Sequence, residues 1–268
     1  MIVNDDINNI KVIYIKIPKT GGTTISSNIW EKYNQGRSSN FDYVHKQKVL
    51  QELRKSGSKN PHRDLHNKIN QINETVINLN DLKAYQKIKG NNPYTNHKND
   101  GWHVPYCQIN DYLNKINESI EDFSKFSIIR EPVSRFVSAF RWRKQKVDHT
   151  YSRKEKEVYK SIDYYFECIC NKDNRLYQSD VMFAKKQKYW LKDDNGLIPD
   201  DMKLFTIDKM NEPETIDYLS DIMGFEFNTE NRKNISKKKE EIIVSTELRN
   251  KIENRYSEDL ELYNKLNI

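Results

Sequence analysis

The chain is 268 residues long, 36% hydrophobic and 31% charged, and its 45 Lys and Arg against 39 Asp and Glu give a formal net charge of +6. A chain of this size can bury roughly three quarters of its unfolded surface, so one domain over 1–268 is expected, and no run approaches the ~18 apolar residues of a membrane span. The positive balance suits an anionic ligand, but Lys and Arg are spread along the chain, which gives nucleic-acid binding little support.

The start, Met1-Ile2-Val3-Asn4-Asp5-Asp6, lacks a basic segment followed by an apolar one, so no signal peptide is evident and a cytoplasmic protein is expected. Lys11-Val12-Ile13-Tyr14-Ile15-Lys16-Ile17 reads as a strand, Pro18-Lys19-Thr20-Gly21-Gly22-Thr23-Thr24 as a loop, and the stretch carrying Ile25, Ile29 and Trp30 as a helix. Pro18 blocks further strand pairing. Gly21 and Gly22 permit positive φ and close backbone approach, and Thr23 or Thr24 is placed to cap the helix. The free N–H groups of such a helix start attract a phosphate, with the charge of Lys19 and the hydroxyls of Thr20, Thr23 and Thr24 beside it.

A polar stretch follows from Gly36 to Asn99, with helix-like apolar spacing over Val44–Leu53 and Leu65–Leu79. Trp102-His103-Val104-Pro105-Tyr106 reads as a strand end or loop before a short helix near Ile109–Ile116. Phe126-Ser127-Ile128-Ile129-Arg130 is a second buried strand, and Pro132 stands in the first turn of a helix with Val133, Phe136, Val137 and Phe140 on one face. Tyr151–Trp190 reads as mostly helical, Leu204–Ile207 as a third strand, Glu214–Met223 as a helix closed by Gly224, and Ser245–Leu266 as one terminal helix. Strands alternating with helices give an α/β class: a three-layer, P-loop-like fold with a central parallel sheet flanked by helices. Cys107, Cys168 and Cys170 fit no common zinc spacing and read as buried or idle thiols.

The second chemical constellation is Arg130-Glu131-Pro132-Val133-Ser134-Arg135-Phe136-Val137-Ser138. Arg130 at a strand end and Ser138 two helical turns on place a guanidinium fork and a hydroxyl where both can contact a second phosphate. The alternative makes Arg130 an ion-pair partner of Glu131 or another carboxylate. Arg135, Arg141 and Arg143 either reach an anionic ligand or form a solvated helix face.

Together, Pro18–Thr24 and Arg130–Ser138 resemble the two cofactor motifs of the sulfotransferase superfamily, in particular the carbohydrate sulfotransferases related to heparan sulfate 2-O-sulfotransferase. Gln187-Lys188-Tyr189-Trp190-Leu191 and Tyr256–Tyr263 also resemble family segments, whereas Asp208-Lys209 departs from the family pattern after the third strand. The resemblance implies 3′-phosphoadenosine 5′-phosphosulfate as co-substrate, with Lys19, Thr20, Gly21, Gly22, Thr23 and Thr24 at its 5′-phosphosulfate end and Arg130 and Ser138 at its 3′-phosphate. It implies a glycan or other hydroxyl acceptor, and no metal ion is required by the scheme.

Direct transfer to an alcohol needs in-line positioning, a cation on the leaving phosphate and a base at the acceptor hydroxyl. Lys19 answers the second need. Of six histidines, His103 is the expected base because it resembles the family's His-Val segment, with His97 as second choice; surface or packing roles suit His45, His62, His66 and His149. A bland role for His103 is a hydrogen-bonded residue packed beside Trp102. Ser236, Lys237 and Lys238 either close over the phosphates or are simply solvated. Two other classes compete: a P-loop kinase, for which Lys19 stands on the wrong side of the glycines, and a noncatalytic basic nucleotide- or RNA-binding module, which leaves His103 without a task.

Overall fold

The computed structural model describes residues 2–5, 10–34, 103–115, 117–147, 152–176, 178–229 and 241–267. The helices expected over 44–53 and 65–79, together with His45, His62, His66, His97, His149 and Ser236 to Lys238, lie outside the described residues.

The strand expected at 11–17 forms as β2 (Ile10–Ile15), preceded by β1 (Ile2–Asp5); β3 (Ser124–Ile129) and β4 (Met202–Thr206) complete a sheet in the order β1-β2-β3-β4. β2 runs parallel to β3, with Ile15 opposite Ser127, and β3 parallel to β4, with Ile129 opposite Thr206. β1 pairs antiparallel with β2, Ile2 opposite Ile13. The central sheet is parallel as expected, with β1 added as an antiparallel edge strand. Only residues 6–9 join β1 to β2, far short of the dozen or so that a parallel crossover needs.

Helices fill the connections: α1 (Gly22–Asn34), α2 (Tyr106–Lys115), α3 (Pro132–Lys146), α4 (Arg153–Val158), α5 (Ile162–Cys170), α6 (Gln178–Ala184), α7 (Lys188–Leu191), α8 (Pro213–Met223), α9 (Thr246–Arg255) and α10 (Ser257–Lys265). Alternate residues of each strand point to opposite faces. Val12 and Tyr14 of β2 and Phe126 and Ile128 of β3 pack with Ile25 and Ile29 of α1 and Leu219 and Met223 of α8. Ile13, Ile15 and Ile129 pack on the other side with Ile109 and Leu113 of α2 and Trp190 and Leu191 of α7. With both faces covered, β2 reads as a nearly unbroken apolar run instead of alternating with polar residues. β3 buries two polar residues, Ser127, whose hydroxyl donates to the Ile15 carbonyl at 2.7 Å, and Lys125. The buried Lys125 ammonium bonds the carbonyls of Ile120 (3.0 Å) and Phe123 (3.1 Å) and pairs with Asp201.

A third cluster joins Val133, Phe136 and Phe140 of α3 to Tyr165 of α5 and Leu248 and Ile252 of α9. Gly224 ends α8 at φ +64° as its position suggested. The single terminal helix expected over 245–266 is two, because Tyr256 leaves helical geometry at φ −111° and ψ 30°. Its buried ring sends a hydroxyl bond to the Ala184 carbonyl at 3.1 Å. Among the described residues, no helix is long and apolar enough to cross a membrane.

Candidate anion-binding and catalytic site

The loop of residues 18–21 leaves the carboxyl end of β2 and enters α1. It reverses direction through two left-handed residues, Lys19 at φ +69° and Gly21 at φ +85°. At Gly21 the conformation needs glycine, and a Cβ there would also lie 2.9 Å from Ile207 Cδ1. Of the two uses expected of the glycine pair, positive φ belongs to Gly21 and close approach to Gly22. Gly22 is the first residue of α1, and glycine serves it by permitting approach: a Cβ would stand 2.7 Å from the Tyr14 hydroxyl and 2.9 Å from Lys16 Cγ. Thr23 and Thr24 consequently ride in the first helical turn instead of preceding it as caps, and Thr24 N–H bonds the Gly21 carbonyl at 3.1 Å. The Thr20 hydroxyl is buried and donates to the Ile17 carbonyl at 3.0 Å, so it shapes the loop. The remaining helix-start N–H groups have no intrahelical carbonyl to bond, which is what makes such a terminus an anion site.

Lys19 would normally avoid positive φ, a conformation that costs a non-glycine residue of order 1–3 kcal/mol. Two contacts hold it there. Its carbonyl accepts a bond from Arg130 Nη1 at 3.3 Å, and its ammonium lies 5.3 Å from the centre of the Trp142 ring. Arg130 follows the last residue of β3, and its Nε donates to Ser134 Oγ at 2.9 Å. Ser134, Ser138 and Trp142 recur at spacing four along α3, hence on one face. Glu131 is not the ion-pair partner of Arg130: it caps α3, accepting from Val133 N at 2.9 Å and Ser134 N at 2.6 Å. Among the described residues neither Lys19 nor Arg130 forms an ion pair. Burial, helped by Arg130, lowers the Lys19 ammonium to about 8; burial also lowers Arg130, an effect Asp208 opposes and Arg141 reinforces.

His103 comes to the same loop from the other side. Its Nδ1 lies 2.8 Å from the Lys16 carbonyl at the end of β2, and its ring is tilted 60° to buried Trp190 at 6.2 Å. A carbonyl only accepts, so Nδ1 carries the proton and Nε2 keeps its lone pair. Burial, with smaller contributions from Lys16 and Arg135, lowers the imidazole to about 4 even though the bond to Lys16 acts the other way. It is therefore neutral at pH 7. His103 is thus the hydrogen-bonded residue of the bland reading, with the Lys16 carbonyl as its partner, while its packing beside Trp102 falls outside the described residues.

Other side chains around the loop have tasks that the sequence did not assign. Arg135 does not form a solvated face: it is buried, with Nε bonding the Pro18 carbonyl at 3.0 Å and Nη1 that of Lys185 at 2.9 Å, while its buried Nη2 has no hydrogen-bond partner among the described residues. Arg143 is buried against Asp180, Nε to Oδ2 at 3.2 Å. Gln187, fully buried, bonds the main chain of Arg130, and Asp259, also fully buried, accepts from the N–H groups of Gln187 and Lys188. The thiols are unpaired, with Cys168 buried and Cys107 and Cys170 partly so.

The glycine loop, the start of α1, Arg130 and His103 gather at the carboxyl ends of the parallel strands β2 and β3, the end at which α/β sheets generally bind their ligands. A family model described as Sulfotransferase family matches residues 2–265, and the chain belongs to that family. No curated protein and no solved structure matches it. Membership makes it an enzyme of sulfate transfer, which implies a hydroxyl-bearing acceptor.

Proposed function

We propose that the protein transfers a sulfuryl group from 3′-phosphoadenosine 5′-phosphosulfate to a carbohydrate hydroxyl, with His103 as general base. The observation that carries the reading is the 3.3 Å bond from Arg130 to the Lys19 carbonyl, which joins the two motifs into one cationic locus. The residues fit a ligand with phosphate at both ends. Lys19 and the N–H groups at the start of α1 suit the 5′ end, and the Arg130 fork with the α3 hydroxyls of Ser134 and Ser138 suits a 3′-phosphate. The carbohydrate acceptor rests on the resemblance of the motifs to the heparan sulfate 2-O-sulfotransferase branch.

The donor supplies a sulfuryl group whose S–O bond to the 5′-phosphate breaks as the acceptor oxygen bonds to sulfur. The chain's own groups then have distinct tasks. Lys19 offsets the charge left on the phosphate oxygen, a role for a fixed cation in a desolvated site. His103 takes the acceptor's proton on Nε2 while the Lys16 carbonyl holds the tautomer. An anion bound beside His103 raises its basicity from the low value of the free protein, so proton transfer becomes easier in the loaded site.

Calorimetry with 3′-phosphoadenosine 5′-phosphate, AMP and ATP tests the donor. The doubly phosphorylated ligand should bind about 10- to 100-fold more tightly than AMP, the effect of one or two hydrogen bonds to a charged group. Arg130→Ala should remove most of that preference. Equal or better binding of ATP overturns the reading in favour of a phosphoryl-transfer enzyme.

A further inference from the structure

We propose that Gln187 and Asp259 are positioning residues that aim the guanidinium of Arg130 and so set the preference for a 3′-phosphorylated donor, an inference that rests on the reading of Arg130 given above. β3 ends at Ile129, the last residue of its ladder with β4, and Arg130 follows without a strand partner there. Gln187 takes that place with its side chain. Arg130 N donates to Gln187 Oε1 at 2.9 Å, and Gln187 Nε2 donates to the Arg130 carbonyl at 2.8 Å. A primary amide thus pairs both ways with the main chain of one arginine, as a neighbouring strand would.

Gln187 is fixed in turn from the C-terminal end. Asp259 of α10 accepts from Gln187 N at 2.7 Å and from Lys188 N at 3.1 Å. Gln187 and Asp259 are each 0% exposed, so neither pairing has a solvent alternative. The same helix reaches Arg130 by a second route: the Tyr263 hydroxyl donates to Asp208 Oδ2 at 2.6 Å, and Asp208 is the carboxylate with the largest effect on Arg130. The Arg130 side chain has two fixed contacts, Ser134 Oγ and the Lys19 carbonyl, so its reach depends on where the main chain holds it. A residue that merely filled the core would have no reason to concentrate its bonds on this peptide.

The experiment measures affinities for 3′-phosphoadenosine 5′-phosphate and for AMP in the full chain, Arg130→Ala, Gln187→Met and Asp259→Asn. Gln187→Met keeps volume and removes both bonds to Arg130; Asp259→Asn weakens the grip on Gln187. Both should lower the ratio of the two affinities about tenfold while leaving AMP within about twofold, as expected for losing one or two hydrogen bonds that act only at the 3′ end. An unchanged ratio, or an equal loss for both ligands, overturns the inference. If Gln187→Met does not fold, Asp259→Asn decides on the same readout. Absence of the preference in the unmodified chain overturns the donor reading as well, whereas a preference removed by Arg130→Ala but untouched by the other two variants overturns this inference alone.

Discussion

At His103 a single hydrogen bond decides which nitrogen can do chemistry. Nδ1–H points to the Lys16 carbonyl, so only Nε2 can accept a proton. His103→Ala should lower turnover by about 10²- to 10⁴-fold, the usual contribution of a general base, with affinity for 3′-phosphoadenosine 5′-phosphate nearly unchanged. The pH dependence has a definite sign. Protonation removes the lone pair, and the free imidazole titrates at about 4, so kcat/KM should stay level through pH 6.5 and fall only on approach to that value. An acid limb at 6.5, or retained turnover in the variant, would place the base elsewhere. Much of this site is legible in order along the chain: the glycine loop is local, and the spacing of four through Ser134, Ser138 and Trp142 is visible once α3 is recognised. The positive φ of Lys19 is not, because a lysine seldom adopts it and the Arg130 contact on its carbonyl comes from 111 residues away. Nor are the tasks of Gln187 and Asp259, whose partners lie 57 and 72 residues off and whose residue types have no fixed preference for such bonds.

Among elements, the strands were the easiest to read because burial on both faces leaves an apolar run. β1 has little sequence signature, since four residues carry little pattern and its place comes from pairing with β2. The break between α9 and α10 has none either, because Tyr256 has ordinary helical spacing and leaves the helix to reach Ala184. The basic end of α3 shows the limit of charge patterning. Spacing offers Arg143 an anionic ligand or a solvated face, yet it turns inward to a carboxylate that links four helical segments. Asp180 of α6 accepts from Arg143 of α3, from Tyr159 after α4 at 2.7 Å and from Tyr165 of α5 at 2.8 Å. Removing the carboxylate takes one anionic contact from a buried guanidinium and one acceptor from each of two phenols. Asp180→Ala should therefore lower the unfolding free energy by roughly 3–5 kcal/mol, the cost of breaking a buried, hydrogen-bonded ion pair. Urea titration measures it; a loss below about 1 kcal/mol would show that these helices are held by their apolar contacts alone.

For the molecule as a whole, the site joins parts that belong to different clusters: the loop after β2, the start of α3, and α10 acting through Gln187. A ligand that binds only when these are assembled must stabilise the fold, by about 2.7 kcal/mol at a concentration 100 times its Kd. Lys19 makes that gain depend on pH. Its ammonium is the binding form, and in the free protein it titrates at about 8. Binding an anion raises that value, so the complex takes up a proton once the free amine has lost one, and affinity declines as pH climbs past 8. At pH 9 about nine tenths of the free amines are neutral, which weakens affinity up to about tenfold and removes up to about 1.4 kcal/mol of the stabilisation. The rise in melting temperature with 3′-phosphoadenosine 5′-phosphate should thus be smaller at pH 9 than at pH 7, by about 3–6 °C for a domain of this size. His103 is neutral at both pH values and adds nothing to the difference. Lys16 also titrates at about 8, so Lys19→Met provides the assignment: its melting shift should be smaller at pH 7 and change little by pH 9. Equal shifts at the two pH values in the unmodified chain would remove Lys19 from the anion contact, and with it the cation on the leaving phosphate.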